Sequence, residues 1–227
     1  MNILEIRNLS KSFSMHILNN KKIEALKEIN FTVKEGEIIG LTGRSGSGKS
    51  TLMKCVYRTY LSSSGEIRYH SLAGEVDLAK ADDHVVIGLR KKEINYCSQF
   101  LSVIPRVPAV DIVGERLPAG EKEDKRSVAK EMLEKLGLPE ELWDAFPSTF
   151  SGGEQQRINV ARAIIARPRL LLIDEPTASL DAKTRDVVID LILDLKKSGT
   201  SVLCISHDEY TLERLTDRRL HLQHGQI

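Results

Sequence analysis

Cysteine is scarce in this sequence, and neither sign of charge is in excess. The three cysteines, Cys55, Cys97 and Cys204, are far apart and form no CxxC pair, which argues against a zinc site or a disulfide framework. Each lies in or beside an apolar stretch, so we expect buried free thiols and a reducing, cytoplasmic compartment. The 33 basic and 32 acidic residues give a formal charge of +1, so no broad field favours nucleic acid as a partner.

Long apolar runs are also absent. No stretch approaches the roughly 18 apolar residues of a membrane span, and residues 1–10 lack the basic start and apolar block of a signal peptide. We therefore expect a soluble chain without direct membrane insertion. A chain of 227 residues can bury one substantial core, so we predict a single domain over residues 1–227.

Short apolar runs alternate with segments of helical periodicity. Strands are predicted at residues 3–9, 29–33, 38–42, 66–70, 94–97, 170–173 and 201–205. Helices are predicted at 49–60, at 121–136 through Val128, Met132, Leu133 and Leu136, at 154–166 and at 181–197. Residues 62–65 predict a turn, and 71–95 are largely polar and support no assignment before the strand at 94–97. The half-exposed first strands predict an antiparallel lobe, and the later alternation predicts a mainly parallel sheet in an α/β fold.

The strand at 38–42 leads directly into a glycine-rich loop of the form GxxxxGK[ST]. The loop consists of Gly43, Arg44, Ser45, Gly46, Ser47, Gly48, Lys49 and Ser50, and Thr51 follows it. Between a buried strand and a helix, such a loop surrounds phosphate oxygens with backbone N–H groups. The lysine would reach the β- and γ-phosphates, the Ser50 hydroxyl would bind Mg²⁺, and Thr51 would contact the α-phosphate. The pattern predicts ATP binding, and an ordinary glycine-rich turn is the alternative.

Two carboxylates follow the apolar run at 170–173. Asp174 and Glu175 would stand at the carboxyl end of a buried strand, where open parallel sheets bind ligands. Asp174 would support Mg²⁺, directly or through water, and Glu175 would polarise the water that attacks the γ-phosphate. The start of a solvated loop is the alternative for this pair taken alone.

A third motif opens the helix at 154–166. It reads Phe150, Ser151, Gly152, Gly153, Glu154, Gln155, Gln156 and Arg157, and a serine before a helix is in itself an N-cap. The run resembles the signature of ATP-binding cassette (ABC) proteins, in the variant with phenylalanine and glutamate. This resemblance extends over essentially the whole chain. It implies a P-loop NTPase fold with a RecA-like sheet and an antiparallel lobe in 1–98 and 165–227, and an inserted helical signature lobe in 99–164.

The resemblance also implies roles for individual residues. Gln99 would sense Mg²⁺ and the attacking water, His207 would lie near the γ-phosphate, and Phe13 would place its ring against adenine. Residues 179–181 would communicate across a dimer. Ser151 and Gly153 would complete the nucleotide site of a second ABC subunit, either an identical chain or a related one, so that ATP holds the two together.

Two stretches, residues 98–107 and 142–150, resemble the ABC components of phosphonate carbon–phosphorus lyase systems. Residues 58–61 and 150–181 are consistent with the same resemblance. The resemblance implies a cytoplasmic ATPase whose partners are soluble lyase subunits that handle alkylphosphonates. The chain lacks an iron–sulfur cysteine set for breaking the carbon–phosphorus bond itself.

Other hypotheses remain open at this point. One is the ATPase subunit of a membrane exporter of the lipoprotein-release or macrolide type, which carries a similar signature. Another is an ATP-binding assembly scaffold with little turnover. Glu175 and His207 argue against the scaffold, because binding alone needs neither of them.

Overall fold

The computed structural model describes residues 1–15, 21–102, 105–118 and 122–227. Its strands are β1 (Asn2–Met15), β2 (Lys21–Lys34), β3 (Ile38–Thr42), β4 (Ser64–Ser71), β5 (Gly74–Asp77), β6 (Ile94–Cys97), β7 (Leu170–Asp174), β8 (Ser201–Ile205) and β9 (Arg218–His221). Its helices are α1 (Lys49–Val56), α2 (Asp83–Lys92), α3 (Ala109–Gly114), α4 (Lys122–Lys135), α5 (Gly152–Ile164), α6 (Ala182–Lys197) and α7 (Glu209–Leu215). Short 3₁₀ turns at Glu140–Leu142 and Pro147–Thr149 precede α5.

The strands form two sheets. The first has the order β2-β1-β4-β5 with antiparallel neighbours, and the second has the order β6-β7-β8-β3-β9 with parallel neighbours. Helices connect the parallel strands, as parallel pairing requires. The predicted combination of a parallel sheet and an antiparallel lobe is therefore confirmed.

Strands β7 and β8 alternate their side chains between two apolar layers. Leu171 and Val202 pack with the helices α3 to α6, whereas Leu172 and Leu203 pack with α1 and the antiparallel sheet. Every residue of β7 and β8 is buried, which explains why both strands are continuous apolar runs rather than alternating ones. The core therefore lies on both faces of the parallel sheet.

The parallel sheet brings four loops to one edge. Strands β3, β6, β7 and β8 run parallel, so the loops that leave their carboxyl ends lie side by side. The phosphate-loop residues follow β3, Gln99 follows β6, Glu175 follows β7 and His207 follows β8. Residues far apart in sequence are thereby collected at a single edge.

The predicted helix at 49–60 was too long. Helix α1 ends at Val56, because Arg58 takes a left-handed backbone with φ of 66°. Its guanidinium donates to Leu78 O at 2.7 Å and to Ala81 O at 3.0 Å. These bonds tie the end of α1 to the segment after β5 and stop the helix four residues early.

The predicted turn at 62–65 was also partly wrong. Ser64 and Gly65 belong to β4, and Ser64 pairs with Ser10 of β1. A Cβ at position 65 would lie 2.4 Å from Asn8 O, so the close approach of the two strands requires glycine there. The residue that suggests a turn therefore serves sheet packing.

Helix α4 confirms the predicted segment and corrects one of its core positions. Leu133 and Leu136 are buried, but Val128 is 44 % exposed and the neighbouring Ala129 is buried instead. Gly137, with φ of 67°, ends the helix as expected from glycine at this position. The N-terminal residue of the predicted helix, Glu121, lies outside the described residues.

Helix α5 is shifted from its predicted bounds. It begins two residues before the predicted residue 154 and ends two residues before residue 166.

Several short elements were not predicted. Strand β5 and helix α2 occupy most of the unassigned 71–95 segment, and α3, α7 and β9 are also new. Helix α2 buries Val86 and Leu89, three residues apart, which is too little apolar periodicity to recognise within a polar stretch. Strand β9 alternates half-buried and exposed residues at the edge of the sheet, so it lacks a continuous apolar run.

The expected thiols are confirmed, since Cys55, Cys97 and Cys204 are free and buried. Burial raises the pKa of the Cys55 thiol to about 11, which keeps it protonated and unreactive. Across the ranges that the structure describes, no helix combines the length and apolarity needed to cross a membrane. The proposed lobe boundaries at 98/99 and 164/165 stay a prediction.

The buried sheet predicts unequal effects of two leucine truncations. Leu172 in β7 is fully buried, so Leu172→Ala should lower the free energy of unfolding by about 2–5 kcal/mol. Leu72 is 79 % exposed, and Leu72→Ala should change the free energy of unfolding by less than about 0.5 kcal/mol. Denaturant unfolding of both variants measures the difference, and equal losses would contradict the assigned burial.

Candidate active site

The glycine-rich loop at 43–50, called the phosphate loop below, lies between the backbone at Leu222 and the backbone at Ala25. Gly43 and Gly48 have φ of 134° and 111°. A Cβ on Gly43 would lie 2.2 Å from Leu222 O, and one on Gly48 would lie 2.5 Å from Ala25 O. Both positions therefore require glycine for space as well as for backbone conformation. Helix α1 begins directly after Gly48, so the N-terminal N–H groups of the helix point into the loop.

The side chain of Lys49 reaches back to the start of the phosphate loop. Its Nζ donates to Gly43 O at 2.7 Å and to Arg44 O at 3.0 Å, and the residue is only 7 % exposed. Burial lowers the pKa of the ammonium, and the negative charges of Glu175 and Asp174 oppose that change. The lysine therefore brings a positive charge close to two carboxylates.

Ser50 and Asp174 form the pair expected to hold a hard cation. The Ser50 hydroxyl donates to Asp174 Oδ2 at 3.0 Å. Burial raises the pKa of the Asp174 carboxyl, while the Ser50 hydrogen bond and the ammonium of Lys54 lower it. Hydroxyl and carboxylate oxygens fit Mg²⁺, which takes one or two protein ligands and completes its shell with phosphate and water. The described residues contain no group of three or more His, Cys, Asp or Glu that could hold a metal by themselves.

Glu175 presents one oxygen without a hydrogen-bond partner. Its Oε2 accepts the His207 backbone N–H at 3.2 Å. Its Oε1 is buried, makes no hydrogen bond and lies 3.7 Å from His207 Nε2. Burial raises the pKa of this carboxyl, and the hydrogen bond from His207 N–H opposes the rise. A buried acceptor of this kind fits a water or another donor that arrives with a ligand.

These groups share one cavity of about 340 Å³. The residues lining it are Ala25, Ser45, Gly46, Gly48, Lys49, Ser50, Thr51, Gln99, Asp174, Glu175, Ile205 and His207. The structure therefore brings the predicted phosphate, metal and water-activating residues together. Arg44 and Ser47, which also belong to the loop, line an adjoining cavity of about 200 Å³ with His221 and His224.

Three predicted binding residues lie elsewhere. Phe13 packs edge-on against Tyr60, with ring centroids 5.3 Å apart, and does not line the cavity. Ser151 caps α5 in a reciprocal arrangement with Glu154. A Cβ on Gly153 would lie 2.8 Å from Ser179 O. The roles of Phe13, Ser151 and Gly153 stay predictions.

Ala25 and Ile205 line the cavity without having been predicted. Ala25 is in β2 and Ile205 ends β8, and small or aliphatic residues in strands carry no chemical signal in the sequence. Gln156 belongs to the signature run, and the sequence predicts no separate role for it. The structure shows it buried and bonded to Glu175 O at 2.9 Å.

A glycine-rich loop between strand and helix, opposite an acidic pair at the same sheet edge, defines a nucleotide-binding protein of the P-loop class. The sequence pattern of the ABC transporter family matches residues 26–178, so the chain belongs to the ATP-binding cassette family. Members of this family hydrolyse ATP.

Several known proteins are similar to this chain over nearly its full length. The chain is 39 % identical over 231 residues to the ABC transporter ATP-binding protein YbbA of Escherichia coli (strain K12), covering 100 % of this chain and 96 % of the relative. It is 35 % identical over 228 residues to the lipoprotein-releasing system ATP-binding protein LolD of Geobacter metallireducens, covering 99 % and 97 %. The dimeric post-hydrolysis structure of the cassette MJ0796 with ADP and Pi matches with a TM-score of 0.90 and 30 % identity, covering 99 % and 96 %.

The raised pKa of Glu175 predicts a pH-dependent effect on stability. The folded protein holds this proton more tightly than the unfolded chain, so the free energy of unfolding falls as pH rises from about 4.5 through the raised pKa. Glu175→Gln keeps the shape without the charge. Its Tm should exceed that of the wild type at pH 8, and the difference should vanish near pH 4.

Thermal unfolding from pH 4 to pH 8 measures this difference. The control is Glu131→Gln, which removes a carboxylate from an exposed position of α4. The control should show no such gain at pH 8. A Glu175→Gln variant that is less stable than the wild type at pH 8 would contradict the direction of the pKa shift.

Proposed function

We propose that this chain hydrolyses ATP with Mg²⁺ at sites completed by a second ABC subunit. The observation that carries the proposal is the single cavity lined by Lys49, by the Ser50–Asp174 pair and by Glu175, whose Oε1 accepts no hydrogen bond. Each group fits one requirement of phosphoryl transfer to water, namely charge neutralisation, cation binding and activation of the nucleophile.

Phosphate binding falls to the loop and its lysine. The N–H groups at the start of α1 and the Lys49 ammonium hold the β- and γ-phosphates, replacing the lysine bonds to Gly43 O and Arg44 O. Ser50 and Asp174 hold Mg²⁺, which when bound neutralises charge that develops on the phosphate oxygens. Thr51 lines the same cavity and contacts the α-phosphate.

Glu175 orients the attacking water and accepts its proton. Its Oε1 makes no hydrogen bond, so the water becomes its hydrogen-bond donor once the exposed His207 imidazole, 3.7 Å away, moves to admit it. The raised pKa of the carboxyl brings its proton affinity closer to that of a useful base near neutral pH. Gln99 and His207 line the same cavity and hold the water and the γ-phosphate from the other sides.

The second subunit supplies the remaining contacts. Ser151 and Gly153 do not line the cavity of their own chain, yet the N-terminus of α5 is a good donor site for a phosphate. The similar cassette MJ0796 forms a dimer with ADP and Pi, which supports a two-subunit arrangement here. ATP would then join two subunits, and its hydrolysis would release them.

The proposed chemistry predicts separate effects on turnover and on binding. Glu175→Gln should lower kcat by about 100-fold or more, because the amide cannot accept a proton. The variant should still bind ATP and should accumulate as an ATP-bound dimer. Phosphate release measures turnover, and analytical ultracentrifugation with ATP and Mg²⁺ measures the dimer.

Lys49→Ala serves as the matched variant, since it should lose ATP binding and therefore the dimer as well. Unchanged turnover in Glu175→Gln would refute its role as the base. A wild type that dimerises with ATP but shows no turnover would favour the scaffold hypothesis.

We further propose that ATP hydrolysis drives the cytoplasmic carbon–phosphorus lyase machinery for alkylphosphonates. Support for this finer role comes from the sequence of residues 98–107 and 142–150. Phe100, beside Gln99, is 76 % exposed, which suits contact with a partner next to the nucleotide site. Trp143 is less suited to that task, because its Nε1 already donates to Leu138 O at 2.9 Å.

A membrane permease is the second candidate partner. YbbA is named as a transporter subunit and LolD as part of a lipoprotein-releasing system, and both match nearly the whole chain. Neither is named as a lyase component. The relatives therefore favour a transporter role, whereas the two sequence stretches favour the lyase.

Affinity purification of the native protein from cells using an alkylphosphonate separates the two candidates. Recovery of soluble lyase subunits supports the first proposal. Recovery of an integral membrane permease, with no lyase subunit, refutes it and supports the second. A Phe100→Ser variant should lose the partner while retaining ATP turnover, because the ring is exposed and its loss does not disturb the core.

A further inference from the structure

The signature helix α5 is hydrogen-bonded to the backbone of Glu175. Gln156, in the second turn of α5, is only 4 % exposed, and its Nε2 donates to Glu175 O at 2.9 Å. The same carbonyl accepts the Ala178 N–H at 3.3 Å within its own turn. The shorter of the two bonds is therefore the one that reaches Glu175 from another element.

The backbone of Glu175 is in a conformation that needs such support. Its φ is 55°, in the left-handed region that costs a non-glycine residue about 1–3 kcal/mol. The next residue is Pro176, and a following proline restricts the backbone further. On its other side, the Glu175 N–H donates to Ile205 O at 2.9 Å. The residue is thus fixed between the sheet and α5.

We propose that Gln156 is a positioning residue for the proposed base Glu175, an inference that rests on the proposed hydrolysis of ATP. The Gln156 amide orients the peptide that follows Glu175, and that peptide sets the direction of the side chain. Loss of the amide lets the strained backbone relax and moves Oε1 away from the attacking water. Displacements of about 1 Å are enough to lower a chemical rate by orders of magnitude.

The bond also connects the two sites of the proposed dimer. Ser151, at the start of α5, is expected to meet the nucleotide of the second subunit, and Gln156 lies about 7.5 Å further along the helix. A shift of α5 as Ser151 docks is therefore passed to the base of the same chain. Each subunit completes its partner's site and aligns its own base through one helix.

A second buried amide offers a matched control. Asn95 in β6 is 4 % exposed, and its Nδ2 donates to Ala163 O at 2.8 Å, near the other end of α5. It ties the helix to the sheet as Gln156 does but makes no bond to the Glu175 loop. Gln156→Met and Asn95→Leu each remove one such bond with little change in side-chain size.

ATP turnover and thermal unfolding of the full-length dimer test the proposal. Gln156→Met should lower kcat about tenfold or more and leave the KM for ATP within about twofold, because binding groups are untouched. Asn95→Leu should lower Tm to a similar extent and keep kcat within about twofold of the wild type. Equal kcat losses in the two variants would reduce Gln156 to a structural residue and overturn the proposal.

A double variant shows whether Gln156 acts through Glu175. In single-turnover measurements, adding Gln156→Met to Glu175→Gln should cause little further loss, since the base is already gone. A full additional loss would overturn the proposal. If the wild type hydrolyses ATP and Gln156→Met has the same kcat, the role of Gln156 is refuted but the proposed function stands. If the wild type does not hydrolyse ATP, the proposed function is refuted as well. If Gln156→Met does not fold, Gln156→Asn, whose amide is too short to reach, takes its place.

Discussion

Strands β7 and β8 are buried on both faces, so their backbone groups pair with neighbouring strands and, after Ser201 at the start of β8, their side chains are apolar until the strands end. Polar chemistry is therefore displaced to the carboxyl edge of the sheet. Asp174 is the last residue of β7, and Glu175 leaves the sheet with a left-handed backbone. The rest of the site depends on this placement, because both carboxylates stand at the end of a strand that cannot shift without opening the core, and Lys49 and Ser50 approach them from the start of α1.

The same placement brings the charged side chains of Lys49, Asp174 and Glu175 to one cavity. Burial lowers the pKa of Lys49 and raises the pKa values of Asp174 and Glu175, which favours the neutral form of each group. The opposite charges nearby partly offset this effect. The ammonium groups of Lys49 and Lys54 oppose the two carboxylates, and both lower the pKa of Asp174. The N-terminus of α1 adds a partial positive charge beside these groups, and in the proposed complex Ser50 and Asp174 would hold Mg²⁺.

The sequence predicted most of the site because backbone requirements leave strong patterns. Gly43 and Gly48 are fixed by steric contact with Leu222 O and Ala25 O, and the apolar run before Asp174 is fixed by two-sided burial. Elements held by long-range contacts left weaker patterns. The end of α1 depends on Arg58 reaching Leu78 and Ala81, which are about 20 residues further along the chain. Ala25 and Gln156 could not be recognised because their importance comes from where the fold places them.

Helix α5 contacts two of the loops that line the nucleotide site. Gln156 bonds to Glu175 O, and Asn159 donates to Ser98 O, immediately before Gln99. One rigid helix therefore contacts the loops that carry two proposed catalytic residues. In the proposed dimer, its N-terminus belongs to the opposite site. A motion at either nucleotide would then change the geometry at the other without an additional linker, since the helix itself is the connection. Whichever partner binds beside Gln99 would act on the same helix through the Ser98 loop.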